Sequence, residues 1–329
     1  MGGPERYPLT FAVNDYDHVR DLASGAVRVE GVELTCVHHP VEEIFFRFTH
    51  HREWEASELS LAKYSSLRAA GDESLVAIPA FTSRSFRHSA IFARDDGPVD
   101  DPGALAGGRI GVPEWTQTAT VYARGVLEHQ FGVPLRGVQW VQAGTNERGR
   151  GEGVSVELPE GVSVTPRPDS SLNELLLAGE LDAVIAAHPP AGFGAGIVRL
   201  FTDYRAVEEE FHRDTGVFPI MHVVALRADV HAQRPWLAMN LLTALEEAKR
   251  RSLGRALDKN APRFPVPFGP AHAERMAERF GEDFWPYGIE PNRVTLDWFL
   301  ERAHEQGVCA RRLEPEELFP VEVRQRFKV

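Results

Sequence analysis

Short runs of β-forming residues alternate with helical patterns from the start of this chain, and that alternation most narrows what it can fold into. Residues 9–13, 32–37, 56–61 and 75–81 read as strands, with helical patterns at 17–24, 41–50 and 64–70 between them. Such a series specifies an α/β sheet with helical crossovers. After Asp101 the pattern restarts: a short helix holding Ala104 and Leu105, a Gly-Gly break, a strand at 109–112 and a long helix at about 116–131. A strand at 138–141, a Gly-rich charged loop at 144–153, a strand at 162–164, a helix at 172–179 and an apolar strand at 181–187 complete the second series. A last apolar strand at 218–226 precedes three helical stretches, 236–257, 271–280 and 294–306. If that strand returns to the first sheet, the chain crosses twice between two lobes, at about 82–94 and 216–224. The expected organisation is α/β, two-lobed, with a double hinge and a helical C-terminal extension: residues 1–88 plus 220–329 form lobe one and 89–219 form lobe two. A chain of 329 residues is long enough for two such cores. Ligands of α/β folds bind in the clefts this geometry creates.

Charge and cysteine usage remove several classes of function. Lys plus Arg number 36 against 48 Asp plus Glu, a net charge of −12 that disfavours a phosphate backbone, so no nucleic-acid partner is expected. Cys36 and Cys309 are far apart and form no C-x-x-C, which suggests neither a disulfide framework nor a zinc knuckle. The first residues carry no basic segment leading into an apolar run, and no later stretch approaches membrane-spanning length; the expectation is a cytoplasmic protein without a membrane partner. No P-loop, Rossmann glycine fingerprint, nucleophile elbow or H-E-x-x-H helix is present. His38, His39, His50 and His51, with Glu42 and Glu43, fit no metal-ligand spacing and read as exposed polar residues, so no metal is expected.

The densest anion-binding cluster is Ser83-Arg-Ser-Phe-Arg-His-Ser89, at the expected crossing between lobes. As a strand it would put Arg84, Phe86 and His88 on one face and Ser83, Ser85, Arg87 and Ser89 on the other. Charged runs of this kind more often serve as solvated connectors. Glu114-Trp-Thr-Gln117 follows a strand and opens a long helix, so its free amides, with Thr116 or Thr118 as cap, make an anion site to set against a plain N-cap. Trp115 could stack on a ring or fill the core. His222 ends Phe-Pro-Ile-Met-His at the return crossing, where a lone histidine on an apolar strand is more often structural than catalytic. Ser60 and Lys63 follow the third strand, and Asn14 the first, at the same expected cleft edge.

The phrases Leu105-Ala-Gly-Gly-Arg-Ile-Gly-Val112 and Leu177-Ala-Gly-Glu-Leu-Asp-Ala-Val-Ile185 resemble second-lobe phrases of type 2 periplasmic binding proteins. Pro40-Val-Glu-Glu-Ile-Phe-Phe-Arg47, Glu58-Leu-Ser-Leu-Ala-Lys-Tyr64, Gly111-Val-Pro-Glu-Trp-Thr-Gln-Thr-Ala119, Phe218-Pro-Ile-Met-His222 and Phe284-Trp-Pro-Tyr-Gly288 are more specific. In this order, over nearly the whole chain, they resemble the 4,5-dihydroxyphthalate decarboxylase family. The resemblance implies a type 2 periplasmic-binding-protein-like fold, non-oxidative loss of one carboxylate from a hydroxylated aromatic dicarboxylic acid without a redox cofactor, and a homo-oligomer. Decarboxylation needs a proton donor of suitable pKa, for which His suits, and cations for carboxylates, for which the planar fork of Arg suits. On that reading His88 donates the proton, and Glu114 and His222 complete the catalytic set. Arg84, Arg87, Ser60, Lys63, Asn14, Trp115, Thr116 and Gln117 bind the small aromatic carboxylate. The competing expectation is a solute-binding protein that closes on the same ligand without changing it.

Overall fold

The computed structural model describes residues 6–154 and 156–325. The chain first lays down β1 (Tyr7–Ala12), α1 (Asp17–Ala23), β2 (Val32–Val37), α2 (Val41–His51), β3 (Ala56–Ser60), α3 (Leu61–Ala69) and β4 (Leu75–Arg84). It then leaves this sheet for β5 (Ile91–Arg94), β6 (Arg109–Val112), α4 (Thr118–Phe131), β7 (Gln139–Gly144), β8 (Val164–Ser171), α5 (Leu172–Leu177), β9 (Ala183–Ile185), β10 (Ile197–Arg199) and α6 (Tyr204–Thr215). It returns as β11 (Ile220–Arg227).

The first sheet has the order β2-β1-β3-β11-β4 and the second β10-β5-β9-β6-β7-β8. Strands β1, β2 and β3 run parallel, as their helical crossovers require, and β11 inserts antiparallel between β3 and β4. This is the two-lobed α/β architecture the alternation predicts. Strands β5 and β10 and helix α6 lie where no element was expected; strands of three or four residues are too short to establish a period.

After β11 come α7 (Ala228–Gln233), α8 (Trp236–Leu257), α9 (Gly269–Phe280) and α10 (Arg293–Glu305). Helix α8 lies on α1 and β4 of the first lobe. The turn before α10 is tied to β4, with Trp285 Nε1 donating to the Phe81 carbonyl at 2.9 Å and the Gly288 amide to Pro79 at 2.8 Å. Helix α10 then reaches the second lobe. Trp298 stacks on Tyr122 of α4 at 5.4 Å and 6°. The Gln306 side chain accepts from Arg124 Nε at 2.9 Å and donates to the Val121 carbonyl at 3.0 Å. The C-terminal extension therefore belongs to both lobes, not to lobe one alone. Among the described residues no helix is long and apolar enough to cross a membrane.

Candidate active site

Between the lobes, at the ends of β1, β3, β4 and β11, lies a cavity of about 630 Å³. The register of β11 explains one wall. His222 stands opposite Ser60 of β3 and Ser83 of β4, so all three share a face, and Glu58, two residues before Ser60, is the diagonal neighbour of His222 on that face. Glu58 is fully buried. Its Oε1 accepts the Tyr16 hydroxyl at 2.6 Å and the Thr82 hydroxyl at 3.0 Å, and lies 2.6 Å from His222 Nδ1; its Oε2 accepts the Asn14 amide at 3.0 Å. Burial alone would raise the Glu58 carboxyl, but the hydrogen bond and charge of His222, with Tyr16 and Asn14, outweigh it and hold the group below its ordinary value. Burial and the Glu58 charge push the Tyr16 phenol far up, so it stays a donor. Phe45 of α2 makes a T-shaped contact with the His222 ring at 4.8 Å, and with Nδ1 held by Glu58 the remaining ring nitrogen of this cavity-lining residue is Nε2.

The opposite wall carries charge. Glu114, after β6, is held by Lys63 Nζ at 3.0 Å and by Arg150 Nε and Nη2 at 2.9 and 2.5 Å. Arg150 comes from the loop joining β7 to β8, which folds across to α3 so closely that a Cβ on Gly153 would lie 2.9 Å from Lys63 Nζ. Two lobes thus share one acid. Arg87 also lines the cavity and makes no ion pair among the described residues; its Nε points to Met221 Sδ at 3.1 Å. Burial pulls its guanidinium down to about 10, which leaves it charged at neutral pH. Val41, Phe45, Phe46 and Ala187 supply apolar wall, and His188 Nε2 meets Glu42 Oε1 at 3.6 Å across the mouth.

Of the residues expected at the site, Asn14, Ser60, Lys63, Arg87, Glu114, Gln117 and His222 line this cavity. Four do not. Arg84 is buried on the far side of β4, where it donates to the carbonyls of Phe218 at 2.9 Å and Pro286 at 2.7 Å and to the Asn292 side chain, anchoring the segment before α10. His88 is fully buried among Phe131, Phe201 and Phe211, with Nε2 2.9 Å from Gln130 Oε1, and burial pulls its imidazole down to about 4. A neutral imidazole sealed from the cavity is no proton donor for a ligand there. Trp115 is core: its Nε1 donates to the Gln306 carbonyl at 2.8 Å and the Arg124 guanidinium covers its ring at 3.6 Å. Thr116 bonds Glu152 through its hydroxyl, and the Trp115 and Thr116 amides bond the same carboxylate, so the expected anion site at this helix start holds the chain's own acid. Thr118, the first residue of α4, is not a cap either; its hydroxyl bonds Ser60 Oγ at 2.9 Å and accepts the Ala62 amide at 3.0 Å, joining the lobes in the cavity wall.

The chain is 38% identical over 325 residues to a 4,5-dihydroxyphthalate decarboxylase of Comamonas testosteroni, covering 98% of both proteins. It is also 38% identical over 209 residues to the enzyme of that name from Pseudomonas putida, covering 62% of this chain and 81% of that one. It belongs to the 4,5-dihydroxyphthalate decarboxylase family. No family model matches the chain. Among solved structures, the periplasmic aliphatic sulphonate binding protein SsuA from Escherichia coli is similar at a TM-score of 0.55 and 12% identity, covering 99% of this chain and 96% of that one. The desulfurization enzyme DSZB is similar at a TM-score of 0.50 and 16% identity, covering 97% of each chain. At such identities the likeness shows the fold alone, which is that of type 2 periplasmic binding proteins. The sequence of this family member does not by itself assign Glu58, Phe45, Arg150 or Glu152 to the site. Glu58 carries a signal, since a carboxylate in the middle of a strand that starts a buried crossover must find partners.

Proposed function

We propose that this protein is a carboxy-lyase that removes one carboxylate from a hydroxylated aromatic dicarboxylic acid, 4,5-dihydroxyphthalate or a close analogue, without oxidation. The observation that carries this reading is the meeting, in one partly apolar cavity, of Arg87, which makes no ion pair among the described residues, a carboxylate-backed His222 and the Lys63–Glu114–Arg150 cluster. The family relationship supplies the reaction class.

The chemistry asks for a proton at the ring carbon that bears the leaving carboxylate, and for stabilisation of charge in the dearomatised ring. Arg87 binds a carboxylate through its planar fork and fixes the ring against Phe45. A hydroxyl para to the reacting carbon, hydrogen-bonded to Glu114, pushes electron density towards that carbon, and Lys63 and Arg150 stabilise negative charge on its oxygen. His222 gives its Nε2 proton to the carbon. The bond to the carboxylate then breaks, its electron pair restores the aromatic ring, and CO2 departs. One proton is consumed per turnover and solvent returns it to His222. A positioned acid of this kind contributes typically 10²- to 10⁴-fold.

Incubating purified protein with 4,5-dihydroxyphthalate, 4-hydroxyphthalate and phthalate, while following CO2 and aromatic product by chromatography, tests the reading. One CO2 per dihydroxyphthalate consumed, with no turnover of phthalate, is expected. Tight binding with no product from any of them would move the protein to the solute-binding class.

A further inference from the structure

We infer that Glu58 is a positioning residue for the reaction, holding His222 with a proton on Nδ1 so that Nε2 alone serves the ring carbon. The inference rests on the reading of His222 as proton donor and extends it to a group that does not touch the substrate.

The hydrogen-bond arithmetic at Glu58 carries the argument. An ionised carboxylate only accepts, and this one has no solvent to share its lone pairs. The Tyr16 and Thr82 hydroxyls and the Asn14 amide are donors at 2.6, 3.0 and 3.0 Å, and the remaining partner, His222 Nδ1 at 2.6 Å, completes the set only as a donor too. The neutral imidazole is thereby fixed as the Nδ1–H tautomer, with the Nε2 lone pair directed away from Glu58, and the protonated imidazole carries its transferable proton on Nε2. Carboxylate–imidazole pairs set tautomer and ring orientation in this way wherever the second nitrogen has work to do. His88 makes the contrast inside the same chain: its hydrogen-bonding partner is the neutral Gln130, and its cage is aromatic. His88 is accommodated without a carboxylate; His222 receives a fully buried one from the neighbouring strand.

Glu58→Gln keeps the shape and removes the charge. With 4,5-dihydroxyphthalate as substrate, kcat should fall about 10²-fold while KM changes little, the pattern of a group that acts on the proton donor and not on binding. Nitrogen NMR of the imidazoles, with the His222 signal identified by its loss in His222→Gln, should show neutral His222 protonated on Nδ1 in the wild-type protein. That spectrum needs no Glu58 variant to fold. Full kcat in Glu58→Gln, or neutral wild-type His222 protonated on Nε2, overturns the inference. If Glu58→Gln is fully active while His222→Gln is dead, positioning fails and the proton-donor reading stands. If His222→Gln retains full activity, the proton-donor reading fails and this inference falls with it.

Discussion

Among the cations that line the cavity, Lys63 and Arg150 share Glu114, whereas Arg87 faces the cavity with only a thioether against its Nε. A desolvated guanidinium that feels the Glu208 charge but makes no ion pair with it is costly, and a ligand carboxylate offsets that cost; hydrogen bonds to charged groups are worth about 1.5–3 kcal/mol each. Arg87→Leu should therefore raise KM for the dihydroxyphthalate by about 10- to 10²-fold with a smaller change in kcat, and Arg87→Lys should recover only part of the loss, because the fork is gone. Steady-state kinetics on the pair of variants checks both. His88 behaves oppositely. Its folded-state value of about 4 lies below the ordinary 6.5, so between those values the unfolded chain binds a proton that the folded chain refuses, and stability is lost as pH falls through that window. His88→Gln should keep turnover close to wild type and lose less stability between pH 7 and 5 than the wild-type protein does, as read by urea unfolding at the two pH values.

At the scale of elements, the hinge was legible and its facing was not. The polar run 83–89 was placed at the crossing between lobes, where it is found. The pairing of Arg84 with His88 assumed that the strand persists through Ser89, but β4 ends at Arg84 and His88–Ala90 forms a 3₁₀ turn, which breaks the two-residue period. Ser83 and Arg87, on the other face of the expected strand, meet the cavity, so of the two arginines expected to bind the carboxylate only Arg87 lines it. Long periodic helices such as α8 were readable end to end, whereas the loop that delivers Arg150 and Glu152 has no period at all, and only tertiary folding brings it over Lys63. The α4–α10 contact was equally hidden, because nothing local to Gly125 announces Trp298. A Cβ at 125 would lie 2.7 Å from Trp298 Cη2, so Gly125→Ala should cost about 1–3 kcal/mol by overpacking, measured as a lowered denaturant midpoint with unchanged slope.

Across the whole molecule, these contacts bear on how far the lobes move. A two-lobed fold with a double hinge admits wide opening, and domain motion is the default where the interface is small. Here three separate ties span the lobes: Trp298 and Gln306 of the C-terminal extension on α4, the Ser60–Thr118 hydroxyl pair in the cavity wall, and Lys63 and Arg150 meeting on Glu114. The core, too, runs unbroken from Leu9 of the first sheet to Trp140 of the second. An enzyme that must hold a ring carbon within reach of one imidazole nitrogen gains from such pre-organisation, since binding energy is then not consumed in closing the cleft. A compact chain of this length has a radius of gyration of about 20 Å. Small-angle scattering with and without saturating phthalate should give the same radius for the wild-type protein, while Trp298→Ala, which removes the stack on Tyr122, should scatter as a larger particle when free and contract on adding phthalate. Contraction of the wild-type protein itself would mean that the ties open in solution and that substrate, not the C-terminal helix, brings the lobes together.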